Sequence, residues 1–252
     1  MTVRAKKELG QHFLVDENIV GVIERLAGLQ PTDVVLEVGP GLGILTRRLA
    51  ERVALVHAVE LDRSLAEHLP TEPNVRVHWG DALALGLAAL DPQPTKLVAN
   101  LPYNIATPLV VESLSGLPHI ASWTVMVQRE VADRFFAHPG TKAYGAVSVL
   151  VQLATERTGF HPVSREVFRP RPKVDSALVA FARTSLLDLN VKRVVEAAFA
   201  HRRKTLPNSV ALAGLTSRER AEEALRVLGR EPATRAEQLE PREFVPLADA
   251  LA

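Results

Sequence analysis

One stretch, residues 34–43, constrains the fold of this chain more than any other. It opens with an apolar run, places glycine at positions 39, 41 and 43, and is followed by Ile44, Leu45 and Leu49 at helical spacing. This order predicts a buried strand, a tight turn and then a helix. Glycines allow the backbone to pass close to a ligand, and the free N–H groups at the start of a helix favour a negatively charged group. The stretch therefore predicts a ligand-binding turn within an α/β fold.

The spacing of the glycines separates this turn from the dinucleotide-binding fingerprint. That fingerprint requires glycine where this chain has Ile44. The pattern that is present, Glu37 followed by alternate glycines, resembles the first motif of methyltransferases that use S-adenosylmethionine. The resemblance implies that Gly39 and Gly41 approach this cofactor, and that the start of the helix meets a carboxylate instead of a pyrophosphate.

Acidic residues end two further apolar runs and indicate a nucleoside pocket. Residues 53–59 lead into Glu60, and residues 75–79 lead into Gly80 and Asp81. Open α/β sheets bind ligands at the carboxyl ends of their strands, which share one edge of the sheet. There Glu60 is placed to bond both ribose hydroxyls, and Asp81 to accept from an adenine amino group. An ordinary cap or turn would explain any one of these acids alone, but it explains less well three strand-ending acids, Glu37, Glu60 and Asp81, in register with the glycine turn.

Alternating strand and helix patterns indicate a mainly parallel sheet covered on both faces. Strand patterns at residues 155–162 and 174–183 come last and could pair antiparallel at an edge. After Arg183 only helical patterns remain. The predicted fold is a Rossmann-like S-adenosylmethionine-dependent methyltransferase sheet of the α/β class over residues 1–185, with a small C-terminal all-helical domain over residues 186–252. The predicted helices beside the strands include residues 42–52, 62–69 and 142–154.

The absence of cysteine removes several kinds of site. Without cysteine the chain has no disulfides, thiolate zinc sites, iron–sulfur clusters or cysteine nucleophiles. The start of the chain is basic, with Arg4, Lys6 and Lys7, and lacks the apolar core of a signal peptide. No run approaches the roughly 18 apolar residues of a membrane helix. We therefore expect a cytoplasmic protein with no metal and no membrane partner.

The charge of the chain is unevenly distributed. The net charge is only +1, but the stretch from Arg165 to Lys204 holds ten Lys and Arg against four Asp and Glu. A basic zone within a nearly neutral protein favours an anionic partner at one face. A solvated face of scattered arginines is the alternative that charge alone leaves open.

The segment Asn100-Leu101-Pro102-Tyr103 follows the fourth predicted strand and suits the methylation of a base amine. The N6 amine of adenine is a poor nucleophile because its lone pair is delocalised into the ring. Acceptors aimed at its hydrogens would favour the pyramidal amine of the transition state, and the Asn100 side chain and the Leu101 carbonyl can supply them. Pro102 stiffens the turn and keeps Leu101 extended, while Tyr103 offers a face for a flipped base. A plain strand-ending turn is the alternative for this segment in isolation.

Together these motifs make the chain resemble the bacterial small-subunit ribosomal RNA adenine dimethyltransferases. The resemblance covers almost the whole chain and implies a methyltransferase sheet with a small helical domain. It also implies S-adenosylmethionine as the cofactor, with Gly39, Glu60, Asp81 and Asn100 among its contacts. The matching segments are residues 10–14, 37–43, 60–62, 81, 100–103, 168–176 and 201–205.

Three further residues acquire roles through the resemblance. His12 and Leu14 belong to a segment that folds over the cofactor in this family. Many relatives have asparagine where this chain has His12, and an imidazole can also donate or accept a hydrogen bond. Phe168 matches an aromatic residue that is expected to close on the second face of the base. A core phenylalanine beside a proline turn is the alternative for that residue.

Two basic segments are predicted to contact RNA. Residues 168–173 combine prolines, cations and one ring, which suits a single-stranded RNA loop, although an edge loop would look similar. Residues 201–204 can hold phosphates or can cap the preceding helix through its dipole. The cations are Arg169, Arg171 and Lys173 in the first segment and Arg202, Arg203 and Lys204 in the second.

The functional prediction is an enzyme that dimethylates N6 of two adjacent adenosines near the 3′ end of 16S rRNA. Its expected partner is that RNA in the small ribosomal subunit or its precursor, its expected role is in subunit biogenesis, and we expect it to act as a monomer. Leu101 and residues 201–204 favour this reading over a 23S rRNA dimethyltransferase that confers antibiotic resistance. A non-catalytic RNA-binding assembly factor is the alternative outside enzymes, and the intact Asn100, Tyr103 and Glu60 argue against it.

Overall fold

A seven-stranded sheet carries the predicted ligand-binding turn. The computed structural model describes residues 5–6 and 9–251; Arg4 and Lys7 of the basic start lie outside the described residues. The strands of the described chain are β1 (Phe13–Leu14), β2 (Val34–Val38), β3 (Leu55–Glu60), β4 (Val75–Trp79), β5 (Lys96–Asn100), β6 (Ser122–Gln128), β7 (Thr155–Val163), β8 (Phe168–Arg169) and β9 (Ser176–Arg183). The order across the sheet is β4-β3-β2-β5-β6-β9-β7, and a separate ribbon joins β1 to β8.

Strands β2 to β6 are parallel, so their carboxyl ends share one edge of the sheet. β2 pairs in parallel with β3 and β5, β3 with β4, and β5 with β6. β9 runs antiparallel to β6, and β7 lies beyond β9 at the edge. The predicted Rossmann-like methyltransferase sheet is therefore confirmed, and the two last predicted strands lie at one side of it.

Helices pack through apolar faces. The α-helices of the described chain are α1 (Glu17–Ala27), α2 (Ile44–Ala50), α3 (Ala106–Gly116), α4 (Arg129–Phe135), α5 (Ala146–Ala154), α6 (Leu189–Ala200), α7 (Leu206–Leu212), α8 (Arg218–Val227) and α9 (Phe244–Leu251). The Asp16 side chain caps α1 by accepting from two backbone N–H groups of its first turn. α1 then buries Val20 and Ile23 completely in a core that includes Val35 of β2, Val56 of β3 and residues of β5 and β6.

Two predicted helices differ from the observed elements. The helix predicted over residues 42–52 spans Ile44–Ala50, because Gly43 before it adopts a left-handed φ of 73° that a helix cannot continue. The segment predicted as a helix over residues 62–69 is a 3-10 helix, Arg63–His68. It ends at Leu69, whose backbone is extended because the next residue, Pro70, disfavours a helical conformation before it.

The chain forms two compact units. The first comprises the described residues up to Ala132 together with Glu156–Arg183. The second comprises Asp133–Thr155 together with the described residues from Thr184 onward. The boundary predicted after residue 185 lies next to the start of this last segment. The sequence analysis placed residues 133–155 with the sheet, whereas here they belong to the second, helical unit.

Buried contacts join residues 133–155 to the helices of the second unit. The Tyr144 hydroxyl donates to the Leu239 carbonyl at 2.7 Å, and the Tyr144 ring is fully buried near Phe199. This anchor and the extended Gly145 delay the start of α5 to Ala146. α7 was not predicted from the sequence. Within the described residues, no helix combines the length and apolarity that crossing a membrane requires.

Candidate active site

A cavity opens at the carboxyl ends of the parallel strands, in the first unit of the chain. The space inside it, counted together with the open solvent at its mouth, is about 1070 Å³. All the residues predicted to hold the cofactor lie in its wall, together with the segment that follows β5. These residues are His12, Leu14, Gly39, Gly41, Glu60, Asp81, Asn100, Leu101, Pro102 and Tyr103.

The glycine turn brings three parts of the chain into contact. Gly39 and Gly41 have left-handed φ values of 75° and 59°. A Cβ added to Gly39 would lie 3.0 Å from the Pro102 ring, and one added to Gly41 would lie 3.0 Å from Cδ1 of Phe13. Side chains at these positions would therefore separate the turn from the segment after β5 and from β1. Glycine is required here both for backbone conformation and for space.

Glu60 is the last residue of β3 and contacts the glycine turn. One of its carboxylate oxygens accepts from the Gly41 N–H at 3.2 Å, and the other accepts from the Asp62 N–H at 2.9 Å. Burial raises the pKa of the Glu60 carboxyl, while these hydrogen bonds act in the opposite direction. Each oxygen keeps a second lone pair, so the fixed carboxylate can still accept from the two hydroxyls of a ribose.

Asp81 lies at the opposite end of the same wall. Asp81 is exposed. Its Oδ1 accepts from the Leu83 N–H at 2.9 Å, and this Asx turn fixes the carboxylate after β4. The second oxygen of this carboxylate is the acceptor that an adenine amino group would meet at the rim of the cavity.

Glu37 is a further acid in the cavity wall, to which the sequence analysis assigned no contact. The residue is 1% exposed, and its Oε2 atom has no hydrogen-bond partner among the described residues. Burial raises its pKa to about 8, with the Thr46 hydroxyl acting in the opposite direction and the nearby Glu60 adding a smaller increase. The Thr46 hydroxyl is likewise buried without a hydrogen-bond partner among the described residues. In the sequence, the position of Glu37 near the end of the first predicted strand, just before the glycine turn, indicated that this acid lies at the site.

Residues 9–14 form the wall opposite the glycine turn. β1 pairs with β8, with Leu14 opposite Phe168. The His12 Nδ1 atom lies 2.7 Å from the Pro170 carbonyl oxygen, which only accepts, so this nitrogen must carry the proton. The His12 ring also lies 5.5 Å from the Tyr103 ring. His12 therefore joins the segment to β8 and to the predicted base-stacking residue.

Asn100 is oriented by the same segment. Its Nδ2 donates to the His12 carbonyl oxygen at 3.3 Å. Because a carbonyl can only accept, this contact directs the NH₂ group toward β1 and leaves Oδ1 as the acceptor of the amide. The Leu101 N–H donates to the Met126 carbonyl at 3.1 Å and so continues the pairing of β5 with β6 into the turn.

Tyr103 is half-buried at the mouth of the cavity, with its hydroxyl 2.7 Å from the Ser176 Oγ. Burial raises the pKa of the Tyr103 phenol, so the ring stays neutral at physiological pH. A neutral ring held at its hydroxyl end can present a face to a base.

Phe168 differs from its predicted environment. Its side chain is fully buried and packs in the core with Leu14, Val20 and Ile23. It is not part of the cavity wall. The ring therefore has no face open to a base in this structure, and the contacts match the alternative of a core phenylalanine.

The cations of residues 168–173 that are predicted to bind RNA are exposed. They lie in and just after strand β8 of the first unit. Arg169 donates to the carbonyls of Glu166 and Phe168, and Arg171 forms a 2.8 Å ion pair with Glu166. Lys173 is exposed. Exposed pairs of this kind are weak, so the arginines remain available to a phosphate.

The second basic segment lies in the helical unit. Arg202 is committed to two partners there, the Glu237 carboxylate at 3.3 Å and the Lys142 carbonyl at 2.8 Å. Arg203 and Lys204 are exposed. The Arg202 side chain therefore makes no contact that would support the alternative role, in which these residues cap the end of α6. Among the described residues, no group of three or more His, Asp and Glu is arranged to hold a metal ion.

Comparison with known families decides the class of this site. The family model described as ribosomal RNA adenine dimethylase matches residues 2–252. The chain belongs to this family. Its resemblance to rRNA adenine dimethyltransferases is thereby confirmed, and so is the activity class, an rRNA adenine N6,N6-dimethyltransferase.

Curated members of the family align along nearly the whole chain. The ribosomal RNA small subunit methyltransferase A of Rubrobacter xylanophilus is 50% identical over 98% of this chain and 95% of its own length. That of Kineococcus radiotolerans is 45% identical over 98% of this chain and 86% of its own length.

Two solved structures share the fold. A dimethyladenosine transferase from Plasmodium falciparum has a TM-score of 0.77 and 25% identity, covering 94% of this chain and 96% of its own. The 23S rRNA methyltransferase ErmE has a TM-score of 0.65 and 31% identity, covering 95% of this chain and 99% of its own. Both likenesses cover at least 94% of this chain.

Proposed function

We propose that this chain transfers methyl groups from S-adenosylmethionine to N6 of two adjacent adenosines near the 3′ end of 16S rRNA. One observation carries the proposal. The glycine turn with Glu60 and the segment from Asn100 to Tyr103 line the same cavity. A nucleoside cofactor and a target base would therefore meet in one place, as transfer between them requires. Such an enzyme works in the cytoplasm, where the ribosomal subunits are assembled.

The cavity wall fits this cofactor in its donors and acceptors. The backbone at Gly39 and Gly41 leaves no room for side chains, which keeps the glycine turn packed against Pro102 and Phe13 in the cavity wall. Glu60 presents fixed carboxylate oxygens to a ribose. Glu37 adds a buried carboxyl group to the same wall. When bound, S-adenosylmethionine supplies a methyl group already activated by the sulfonium.

The target amine would be held by acceptors on the segment after β5. The hydrogen bond from Asn100 to His12 leaves Oδ1 of the amide to accept a hydrogen of N6. The Leu101 carbonyl is the second acceptor in this proposal. Two such acceptors favour the pyramidal amine, which places its lone pair toward the methyl group. The methylated nitrogen is acidic and loses its proton without a strong base.

The adenine ring would be held by stacking. Tyr103 lies at the mouth of the cavity with a neutral ring. A base extruded from its strand loses stacking energy, and a stack on an aromatic side chain restores part of it. The Tyr103 hydroxyl lies 2.7 Å from the Ser176 hydroxyl, and the His12 ring lies 5.5 Å from the tyrosine ring.

The choice of small-subunit RNA rests on the relatives. Both bacterial relatives described above carry the small-subunit name at 50% and 45% identity, against 31% for the 23S rRNA methyltransferase. A non-catalytic assembly role has less support, because a protein without catalysis would not need an amide oriented toward the cavity.

The test is a methylation assay on unmodified ribosomal particles. Small and large subunits are incubated separately with the chain and S-adenosylmethionine carrying a labelled methyl group, and the labelled adenosines are mapped. We expect dimethylation of two neighbouring adenosines near the 3′ end of 16S rRNA and none on the large subunit. Label in 23S rRNA would favour the resistance-type activity, and no label in either RNA would contradict the proposal.

A further inference from the structure

The N-terminal segment, residues 9–14, is attached on two sides of the cavity. On one side β1 pairs with β8, and the His12 carbonyl accepts from Asn100. On the other side the chain is joined to the end of β3 by side-chain contacts with Asp62. The segment therefore crosses the cavity between the end of β3 and β8.

At the β3 end, the N-terminal chain is held by contacts among Lys6, Gln11 and Asp62, and we call these three residues the clasp. The Lys6 Nζ lies 2.7 Å from Asp62 Oδ1, and the Gln11 Nε2 donates to Asp62 Oδ2 at 3.0 Å. The Gln11 side-chain oxygen in turn accepts from the Lys6 N–H at 2.7 Å. The two oxygens of one carboxylate thus hold Lys6, which precedes the segment, and Gln11, which belongs to it.

The clasp is built on a buried acid. The Asp62 side chain is 2% exposed, whereas that of Lys6 is 42% exposed. Burial by itself would raise the pKa of Asp62, but hydrogen bonds from Lys6, Ser64 and Gln11 hold it below its usual value. The carboxylate therefore stays ionised and available to the lysine throughout the physiological pH range.

The clasp is also joined directly to the ribose-binding acid. The Asp62 N–H donates to Glu60 Oε1 at 2.9 Å. A movement of Asp62 would therefore disturb the Glu60 carboxylate, and a ligand that fixes Glu60 would in turn fix the acceptor of the clasp. Neither Lys6 nor Asp62 is part of the cavity wall, whereas Gln11 is, so Lys6 and Asp62 act on a ligand only through their neighbours.

We propose that Asp62 is a positioning residue whose clasp with Lys6 and Gln11 holds the N-terminal segment over the bound cofactor and slows its release. This inference rests on the proposed function, because it takes the ligand of the cavity to be S-adenosylmethionine. The clasp must open before the segment can leave the cavity, so its strength sets the fraction of molecules that are open and the rate at which the ligand departs.

The test replaces the exposed partner and leaves the buried acid in place. Lys6→Met removes the cation and keeps an unbranched chain of similar length. We expect about tenfold faster release of S-adenosylhomocysteine, measured by surface plasmon resonance, with the association rate nearly unchanged. In the methylation assay KM for the cofactor should rise by a similar factor, with a smaller change in kcat. Lys6→Arg should restore slow release.

The matched control is Arg52→Met. It removes an ion pair of the same length, Arg52 to Glu24 at 2.7 Å, from a cation that is 49% exposed and away from the cavity. Hydrogen exchange of the backbone amides of residues 10–14, measured without ligand, adds a readout that needs no activity. Exchange there should be faster in Lys6→Met than in Arg52→Met.

The outcomes separate this inference from the proposed function. Failure of the unaltered chain to bind S-adenosylhomocysteine would contradict the proposed cofactor, and the clasp proposal with it. Tight binding by the unaltered chain, with equal release rates and equal amide exchange in Lys6→Met and Arg52→Met, would overturn the clasp proposal alone. A loss of thermal stability in Lys6→Met without faster release would also contradict it, because it would show a purely structural ion pair.

Discussion

At the scale of single residues, the site depends on how a few polar atoms are aimed. Asn100 illustrates this. The motif that contains it was visible in the sequence, but the direction of its amide was not. The contact with His12, 88 positions away in the chain, decides that Oδ1 is the free acceptor. The role predicted for the residue thus depends on a partner that no local pattern indicates.

We predict that Asn100→Ala removes most of the methylation and keeps most of the cofactor binding. Loss of an acceptor that acts mainly in the transition state lowers kcat by about 100-fold or more. The measurements are single-turnover methylation rates with saturating cofactor and calorimetric titration with S-adenosylhomocysteine. A variant that turns over at the rate of the unaltered chain would refute the role of the amide.

Glu37 provides a prediction about pH. Its pKa is raised by burial from 4.5 to about 8, so the folded chain binds a proton there that the unfolded chain releases above pH 4.5. The contribution of this group to stability is complete below pH 4.5 and is lost as the pH rises through 8. In the free protein, the free energy of unfolding should therefore fall between pH 5 and pH 8 more steeply than in Glu37→Gln, which lacks the titration.

Urea unfolding across this pH range is the measurement. The difference between the two free energies of unfolding should change by up to about 1.4 kcal/mol per pH unit within the window. Parallel pH profiles for Glu37→Gln and the unaltered chain would show that Glu37 is ionised in the folded state at neutral pH, contrary to its buried environment.

At the scale of elements, strands and turns were predicted more closely than helix ends. Apolar runs and their terminal acids identify buried parallel strands, because burial on both faces selects their composition. Helix ends depend on local capping and on packing. α5 begins later than predicted because a buried tyrosine hydrogen bond fixes the chain before it. A helix was predicted over residues 62–69 after β3, and the observed element is a 3-10 helix over Arg63–His68.

The glycine turn gives a prediction at this scale. Gly41→Ala should lower the free energy of unfolding by more than the cost of a left-handed alanine, about 1–2 kcal/mol, since its Cβ would lie 3.0 Å from the Phe13 ring. It should also weaken S-adenosylhomocysteine binding. Gly28→Ala is the control, because Gly28 also has a left-handed φ, 52°, but its added Cβ would meet nothing within 4 Å.

Thermal or urea unfolding and calorimetric titration measure the two effects. Gly28→Ala should show only the conformational cost and unchanged binding. If both variants lost the same stability and bound the ligand equally well, the close approach of the turn to β1 would have no energetic consequence.

At the scale of the whole molecule, the basic zone found in the sequence divides between two units. Its part in the helical unit contains Arg203 and Lys204, both exposed. The double variant Arg203→Gln, Lys204→Gln should weaken RNA binding and lower the slope of log K against log salt by about 1.5, as expected for two lost phosphate contacts.

The control for that variant loses the same charge. Arg218→Gln with Arg226→Gln removes two arginines that pair with Glu222 and Glu223 on α8. We expect its salt slope to stay close to that of the unaltered chain. Equal slopes for the two double variants would mean that net charge alone, and not the position of residues 203–204, governs RNA binding.

The sequence by itself determined the class of sheet, the glycine turn, the acids that end the strands and the family, since these are written in local runs of residues. Only the tertiary structure decided which distant atoms meet. It placed Phe168 in the core, directed the Asn100 amide through His12, moved residues 133–155 into the helical unit and joined Lys6 to Asp62. The physical reason is that periodicity and turn chemistry act between neighbours in the chain, whereas burial and hydrogen-bond pairing depend on the packing of segments far apart in the sequence.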